Sequence, residues 1–160
     1  MDRAPTTAPV GFAADEILTA EPTRAARLKW VVVVDAALPA GLAVNAAVCV
    51  AAATQANVTG LLGPDAVGPA GEVHPGLPWA GCSVLAADAS ALSALRADAA
   101  DREGVFVADM PEAAQLTRVY DEYRDTVAGT PADALRLYAV SLVGPKNRIA
   151  KLVKGLDLLG

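Results

Sequence analysis

The chain has 160 residues, of which 54% are hydrophobic and only 4% aromatic, so one domain with a core of alanine, valine and leucine is expected. Its formal net charge of −5 argues against nonspecific attraction to nucleic acid, and we expect no nucleic-acid partner. The two cysteines have neither CxxC nor Cys/His ligand spacing, which argues against a metal site. We expect both thiols to be buried and reduced.

The first 27 residues are rich in Pro, Thr and Ala and then mixed. They predict a loosely ordered N-terminal arm (1–27) ahead of a single α/β domain (28–160). The first 20 residues carry Asp2, Asp15 and Glu16 and lack the apolar stretch of a signal peptide. No uncharged apolar run approaches the roughly 18 residues that a membrane span needs. These features predict a soluble, cytoplasmic protein without a membrane partner.

Four consecutive valines, Val31–Val34, indicate the first strand, at about Leu28–Val34. The run is short, β-branched and apolar throughout, as is typical of a strand that is buried on both faces. Asp35 follows at its carboxyl end, and a Pro/Gly loop leads into an alanine-rich helix at about Leu42–Ala56. Open α/β sheets bind ligands where a strand, a short loop and a helix start meet in this way.

The rest of the chain alternates between strands and helices. Residues 57–80 contain too many Gly and Pro for a long element, although Leu61–Leu62 and Glu72–His74 fit a small hairpin or edge strands. A strand at Cys82–Ala86 is followed by a helix from the Asp88 cap to Gly104 and by a strand at Val105–Ala108, which ends in Asp109. The next predicted helix runs from Pro111 to Ala128, and its buried side is formed by Leu116, Val119, Tyr120, Tyr123 and Val127. The last predicted elements are a helix start at Thr130–Asp133, a strand at Arg136–Val143 and a helix at Lys146–Lys154. This order predicts a three-layer α/β/α sandwich.

Two segments resemble a known family, with His74-Pro-Gly-Leu-Pro-Trp79 between them. The first is Val-Val-Val-Val-Asp35-Ala-Ala-Leu-Pro-Ala-Gly41-Leu-Ala-Val-Asn, and the second runs from Tyr138-Ala-Val-Ser-Leu-Val-Gly-Pro-Lys to Gly155-Leu-Asp-Leu-Leu. Over residues 16–160 the chain resembles the bacterial domain of unknown function family number 2000, which is similar in fold to the type-II peptidyl-tRNA hydrolases. The resemblance implies a mixed four-stranded sheet between helical layers and a homodimer.

The chain departs from the hydrolases at positions that matter for chemistry. Asp35 and Gly41 match the hydrolase loop after the first strand, and Asp109 matches the Asp of the turn after the third strand. The other matching positions have lost their polar side chains: Ala37, Ala40 and Leu42 replace lysines, Ala113 replaces a threonine, and Ala46 and Cys49 replace the Gln and His of the first helix. RNA binding needs cations and ester hydrolysis needs groups that stabilise an oxyanion. The resemblance therefore implies the fold and argues against the hydrolase activity.

The candidate ligand-binding residues are Asp35, Gly41, Asn45 and Asp109. Asp35 and Asp109 end two strands that we expect to be parallel neighbours, so their carboxylates would face one crevice. Alternatively, Asp35 caps the helix that contains Gly41, and Asp109 caps the helix that begins at Pro111. Asn45 must hydrogen-bond either the neighbouring loop or a ligand, because an unpaired buried amide costs roughly 1–3 kcal/mol.

His74 is the only histidine in the chain and lies in a Gly/Pro-rich loop. It fits a general base that works with Asp109, or a loop histidine held by a backbone carbonyl. The lysines and arginine of the last helix, Lys146, Arg148, Lys151 and Lys154, fit either an anion site or a solvated face.

Three functions remain open. The chain is a module that binds a small polar ligand, a divergent hydrolase that uses Asp109 and His74 as catalytic residues on peptidyl-tRNA or a small ester or amide, or a dimer with a vestigial crevice. No motif for a nucleotide or other cofactor is present, so no cofactor is expected.

Overall fold

The computed structural model describes residues 8–160 and contains one mixed four-stranded sheet and one small hairpin. In chain order the strands are β1 (Leu28–Asp35), β2 (Ala66–Val67), β3 (Val73–His74), β4 (Ser83–Ala87), β5 (Phe106–Pro111) and β6 (Leu137–Pro145). The large sheet has the order β4-β1-β6-β5, and β2 pairs with β3 apart from it. β1 is parallel to β4, while β6 is antiparallel to both of its neighbours. The mixed four-stranded sheet is therefore confirmed.

Five α-helices accompany the strands within residues 8–160: α1 (Ala40–Asn57), α2 (Ala89–Ala100), α3 (Glu112–Leu116), α4 (Tyr120–Ala128) and α5 (Lys146–Leu152). Alternate side chains of β1 point to opposite faces of the sheet. Val32 and Val34 pack with α1, whereas Val31 and Val33 pack with α2 and α5. The sheet thus lies between two helical layers.

A buried polar network fixes α1 on the sheet. The Thr54 hydroxyl lies 2.7 Å from the Ser141 hydroxyl, and the indole N–H of Trp30 donates to Ser141 Oγ at 2.9 Å. Thr54 also donates to the carbonyl of Val50 at 2.6 Å. Each of these buried polar side chains has a partner, so the network stabilises one register of the helix without leaving a costly unpaired group.

α1 is longer and more apolar than the sequence predicts. Its 18 residues include no charged side chain, and by length and composition alone it could cross a membrane. The expectation that no uncharged apolar run approaches the length of a membrane span is wrong, because a long helix filled with alanine is apolar enough on average to reach it. Core helices meet the same criteria, and Ala43, Ala46, Val50 and Thr54 of α1 are buried against the sheet.

The predicted helix from Pro111 to Ala128 is two helices. β5 extends through Pro111, α3 ends at Leu116, and extended backbone at Thr117 and Val119 separates it from α4. Thr117 donates its hydroxyl to the Ala113 carbonyl at 2.9 Å, a side-chain bond that competes with helix continuation. The predicted buried side is also wrong, since Tyr120 is 75% exposed and no residue of α4 is buried.

Two smaller boundary predictions also fail. α2 ends at Ala100, so Gly104, with φ +74°, lies in the turn before β5 instead of closing the helix. Thr130–Asp133 does not start a helix, and the Thr130 hydroxyl instead donates to the carbonyl of Thr126 at 2.6 Å.

The two ends of the described chain pack against the domain. Residues 1–7 of the expected N-terminal arm lie outside the described range. Within residues 8–27, Phe12 is buried, its N–H donates to the Thr59 carbonyl at 2.9 Å, and its ring lies 4.8 Å from that of Trp79. At the other end, Ala86 N–H donates to Asp157 and Leu159 N–H donates to Val84, so the C-terminal segment follows β4.

Candidate functional site

Asp35 and Asp109 lie on strands that are not neighbours. β1 and β5 run in the same direction, but β6 lies between them and pairs with both. The expectation of adjacent parallel strands is wrong because β6, whose residues Leu137–Gly144 are all buried, takes the central position. Asp109 also lies inside β5, opposite Val140, rather than at the end of the strand.

Asp109 faces α2 and forms an ion pair with Arg96. The Arg96 Nε lies 2.9 Å from Asp109 Oδ2, and the Asp109 side chain is 20% exposed. Among residues 8–160, Asp109 Oδ1 accepts no hydrogen bond and is therefore available to a ligand. Asp109 does not cap α3, which has Pro111 at its N-cap and no side-chain cap.

Asp109 and Tyr123 border two adjoining cavities. The first, about 610 Å³, lies between α2, β5 and α4, and Arg96, Val127 and Leu135 contribute to its wall. The second, about 880 Å³, lies between α1, β5 and the α3–α4 connection. Its polar lining includes Asn45, Cys49, Gln115, Arg118 and Tyr120. We call these two cavities together the β5 cleft; each falls within the volume range of small-molecule sites.

Tyr123 is an uncharged hydrogen-bonding group in this cleft. Burial raises the pKa of the Tyr123 phenol, and the negative charge of Asp109 and the neighbouring Tyr120 raise it further. Its ring meets that of Tyr120 edge-on, with 5.5 Å between centroids. The phenol therefore stays protonated at neutral pH and can donate or accept, beside an aromatic surface.

Asp35 belongs to a separate, structural cluster. Its side chain is 1% exposed and accepts the Ala37 N–H at 2.9 Å and Arg136 Nη2 at 3.0 Å. Arg136 also lies 3.4 Å from Glu112, which accepts the Tyr138 hydroxyl at 3.3 Å. The bond to Asp35 raises the pKa of Arg136, and burial beside Glu112 raises the pKa of Tyr138. Asp35 organises the loop ahead of α1, whose N-cap has no side-chain bond, and borders neither cavity of the cleft.

The remaining predicted site residues divide between the cleft and other surfaces. Asn45 is exposed on α1 and lines the second cavity, with Cys49 Sγ 3.9 Å from its side-chain oxygen. Gly41 is exposed in the first turn of α1, and nothing lies within 4 Å of the position of a Cβ. His74 is exposed on β3 and lines neither cavity, so the structure does not bring it to Asp109.

Sequence reasoning missed Arg96, Tyr123 and Cys49 as cleft residues. Cys49 and Cys82 are both exposed, which corrects the expectation of buried thiols: Cys49 lies on the face of α1 that borders the second cavity, and Cys82 lies in the turn before β4. Arg96 is the one basic residue of α2, and this is the signal that marks it in the sequence. No group of three or more His, Cys, Asp or Glu within residues 8–160 is placed to hold a metal ion.

These features define an α/β protein with a mixed four-stranded sheet, two helical layers and a mostly apolar cleft with a few polar groups beside an edge strand. Residues 28–160 match the family described as "Protein of unknown function (DUF2000)", and the chain belongs to that family. A protein of unknown function from Agrobacterium tumefaciens strain C58 has a similar structure. Its TM-score is 0.77 at 19% identity over 84% of this chain and 98% of that one, a likeness of fold alone. No curated protein matches the chain.

Proposed function

We propose that the protein binds a small polar ligand in the β5 cleft. The observation that carries this proposal is the position of Asp109, a partly exposed carboxylate that borders both cavities together with a protonated phenol. A mostly apolar concavity with a few convergent polar groups is the usual form of a small-molecule site.

The lining indicates the chemistry of the ligand. Asp109 Oδ1 offers an acceptor, Asn45 and Tyr123 can donate or accept, and the Tyr120–Tyr123 pair offers an aromatic wall. Alanines of α1 and the Met110 side chain supply apolar surface. A compound with an aromatic or aliphatic body and an amine or amide N–H fits these groups, because the N–H would donate to Asp109 while the body displaces water from the apolar wall.

Our proposal includes a fold similar to that of the type-II peptidyl-tRNA hydrolases, but it does not include their hydrolase activity. Ala37, Ala40 and Leu42 stand where the hydrolases have lysines, so the loop after β1 offers no side-chain cation to a phosphate backbone. The alternative hydrolase mechanism needs His74 within hydrogen-bond reach of the Asp109 site. His74 lies on the β2–β3 hairpin outside both cavities, and so no observation favours that mechanism.

Binding of aromatic amines tests the proposal. We expect tyramine to raise the melting temperature of the wild type and to slow maleimide labelling of Cys49, since a ligand that binds only the native state stabilises it. The matched compound tyrosol, which lacks the amine, should do neither. Asp109→Asn should abolish the tyramine effect, while Asp98→Asn, an equal charge change on the exposed side of α2, should keep it. Equal binding by Asp109→Asn would refute the proposal.

A second experiment addresses the hydrolase alternative. We expect the purified protein to leave peptidyl-tRNA intact even at high protein concentration. Robust turnover that is lost in both Asp109→Ala and His74→Ala would establish the alternative instead.

A further inference from the structure

A third cavity lies at the opposite end of the sheet from the β5 cleft. It has a volume of about 410 Å³ and forms where β1 and β4 begin and β6 ends. Three cationic residues line it, Arg24, Lys29 and Lys146, and no acidic residue does. We call it the cationic cavity.

The charges of this cavity are not neutralised by the protein. Among the described residues, Arg24, Lys29 and Lys146 have no carboxylate within ion-pair distance, whereas Arg27, Arg96, Arg102, Arg124 and Arg136 each have at least one. The chain as a whole carries a net charge of −5. Three cationic residues around one concavity of an acidic protein create a local positive potential that attracts anions.

Lys29 lies on β1, Lys146 begins α5, and Arg24 lies in the short turn of Thr23–Ala25 before β1. Lys29 lies within β1, where it pairs with Gly144 of β6, and its side chain is half-buried. Lys146 donates its ammonium to the carbonyl of Arg24 and its backbone N–H to the carbonyl of Arg27 at 3.3 Å. These bonds tie the segment before β1 to the start of α5, so the backbone on this side of the cavity is fixed before an anion binds.

The remaining walls suit a compact oxyanion. Leu28 and Trp30 add buried apolar surface to the wall on the sheet face opposite to Lys29, since alternate residues of β1 point to opposite faces. Ser83 adds a hydroxyl donor. Gly81, with φ +75°, has no atom within 4 Å of the position of a Cβ, so the rim of the cavity is open at this turn.

We propose that the cationic cavity is a binding site for a phosphate group, either as free phosphate or as the phosphomonoester of a small molecule. A dianion matches three separate cations better than a single carboxylate does, because each cation can contribute to the attraction. The site is independent of the β5 cleft and of the ligand proposed there.

The test is titration of the protein with inorganic phosphate, phenyl phosphate and acetate at constant ionic strength, followed by calorimetry. We expect saturable binding of the two phosphates and none of acetate. Lys29→Gln and Arg24→Gln should each weaken phosphate binding by about tenfold, since each removes one charge while Arg24→Gln keeps the carbonyl that Lys146 contacts. The control Lys151→Gln removes an exposed cation of α5 outside the cavity and should bind like the wild type. Circular dichroism melting confirms that each variant is folded.

The outcomes separate the two sources of the phosphate group. Tighter binding of phenyl phosphate than of inorganic phosphate identifies a phosphomonoester site, and the reverse order identifies a free-phosphate site. Absence of saturation at millimolar phosphate, or an equal loss of binding in Lys151→Gln, refutes the proposal. Asp109→Asn should bind phosphate normally, so failure of the β5-cleft proposal leaves this one intact.

Discussion

Arg96 of α2 and Asp109 of β5 form an ion pair with 2.9 Å between Nε and Oδ2, at the boundary of the two cavities of the β5 cleft. About half of the Arg96 side chain is exposed, so solvent screens the pair. We expect Arg96→Gln to change the free energy of unfolding by less than about 1 kcal/mol. Urea unfolding measures this change, and a loss above about 2 kcal/mol would show that the pair is a major stabilising contact.

The Asp35–Arg136 pair should behave differently, because Asp35 is buried while Arg136 is 42% exposed. Arg136→Gln leaves a buried carboxylate without its cation, and we expect it to lower the free energy of unfolding by clearly more than the loss of an exposed ion pair does. The control Glu112→Gln, which touches the same guanidinium from a more exposed position, should cost less than about 1 kcal/mol. Adding Asp35→Asn to Arg136→Gln should recover part of the lost stability, because the unpaired buried charge is removed. Urea unfolding of the double-mutant cycle measures this coupling. If the losses of the two single variants simply added, the two side chains would not stabilise the fold as a pair.

The Glu16–Arg27 pair makes stability depend on pH in the acid range. Two hydrogen bonds from Arg27 and one from the Ala13 N–H lower the pKa of Glu16 from 4.5 to about 2. A carboxyl with a lowered pKa stabilises the folded state above its unfolded pKa, and the effect is lost as the pH falls toward the folded value. Glu16→Gln should therefore lower the melting temperature at pH 7 and have a shrinking effect from pH 4.5 to pH 2.

Scanning calorimetry across this range checks the Glu16 prediction. Glu21→Gln is the matched control, since Glu21 is exposed and has no ion pair in the described part of the chain. A constant difference between Glu16→Gln and the wild type from pH 7 to pH 2 would show that Glu16 acts through packing rather than through its charge.

The Cys82 thiol should be slow to alkylate in the native protein. Cys82 is exposed as a residue, but partial desolvation of its thiol raises the pKa from 9.0 to about 11. The thiolate is the reactive form, so a shift of two units leaves about 100-fold less of it at pH 8. In a Cys49→Ala background, labelling in urea should be faster by about that factor. Equal rates in the native and unfolded protein would contradict the prediction.

Much of the sheet was predictable, because its strands are short, β-branched runs with clear boundaries. Val31–Val34 marked β1 correctly, and the Arg136–Val143 prediction found β6 almost entirely. The order of the strands was not predictable from local pattern, since the position of β6 between β1 and β5 depends on long-range antiparallel pairing. The sequence pattern therefore predicted one crevice for Asp35 and Asp109, whereas the structure places Asp109 in the β5 cleft and Asp35 in a separate cluster.

The prediction for the α4 region was wrong for a different physical reason. Its apolar spacing predicted a helix packed on the sheet, but α1 occupies one face of the sheet and α2 and α5 the other. α4 therefore lies beside the edge strand β5, where it forms a wall of the cleft and keeps Tyr120 largely exposed. A helix face that would be core in a larger sheet becomes a cleft wall in a four-stranded one. The homodimer implied by the family resemblance stays a prediction, which light scattering of the purified protein checks.

The β4 border of the sheet is occupied within a single copy. The C-terminal segment hydrogen-bonds along β4 at Val84 and Ala86. Exposed strand borders are the usual templates for chain-to-chain β-pairing, in aggregation as well as in strand-exchanged dimers. A second copy could extend the sheet at β4 only by displacing Asp157–Leu159. Truncation after Gly155 should therefore uncover the β4 border and make the protein more prone to aggregate.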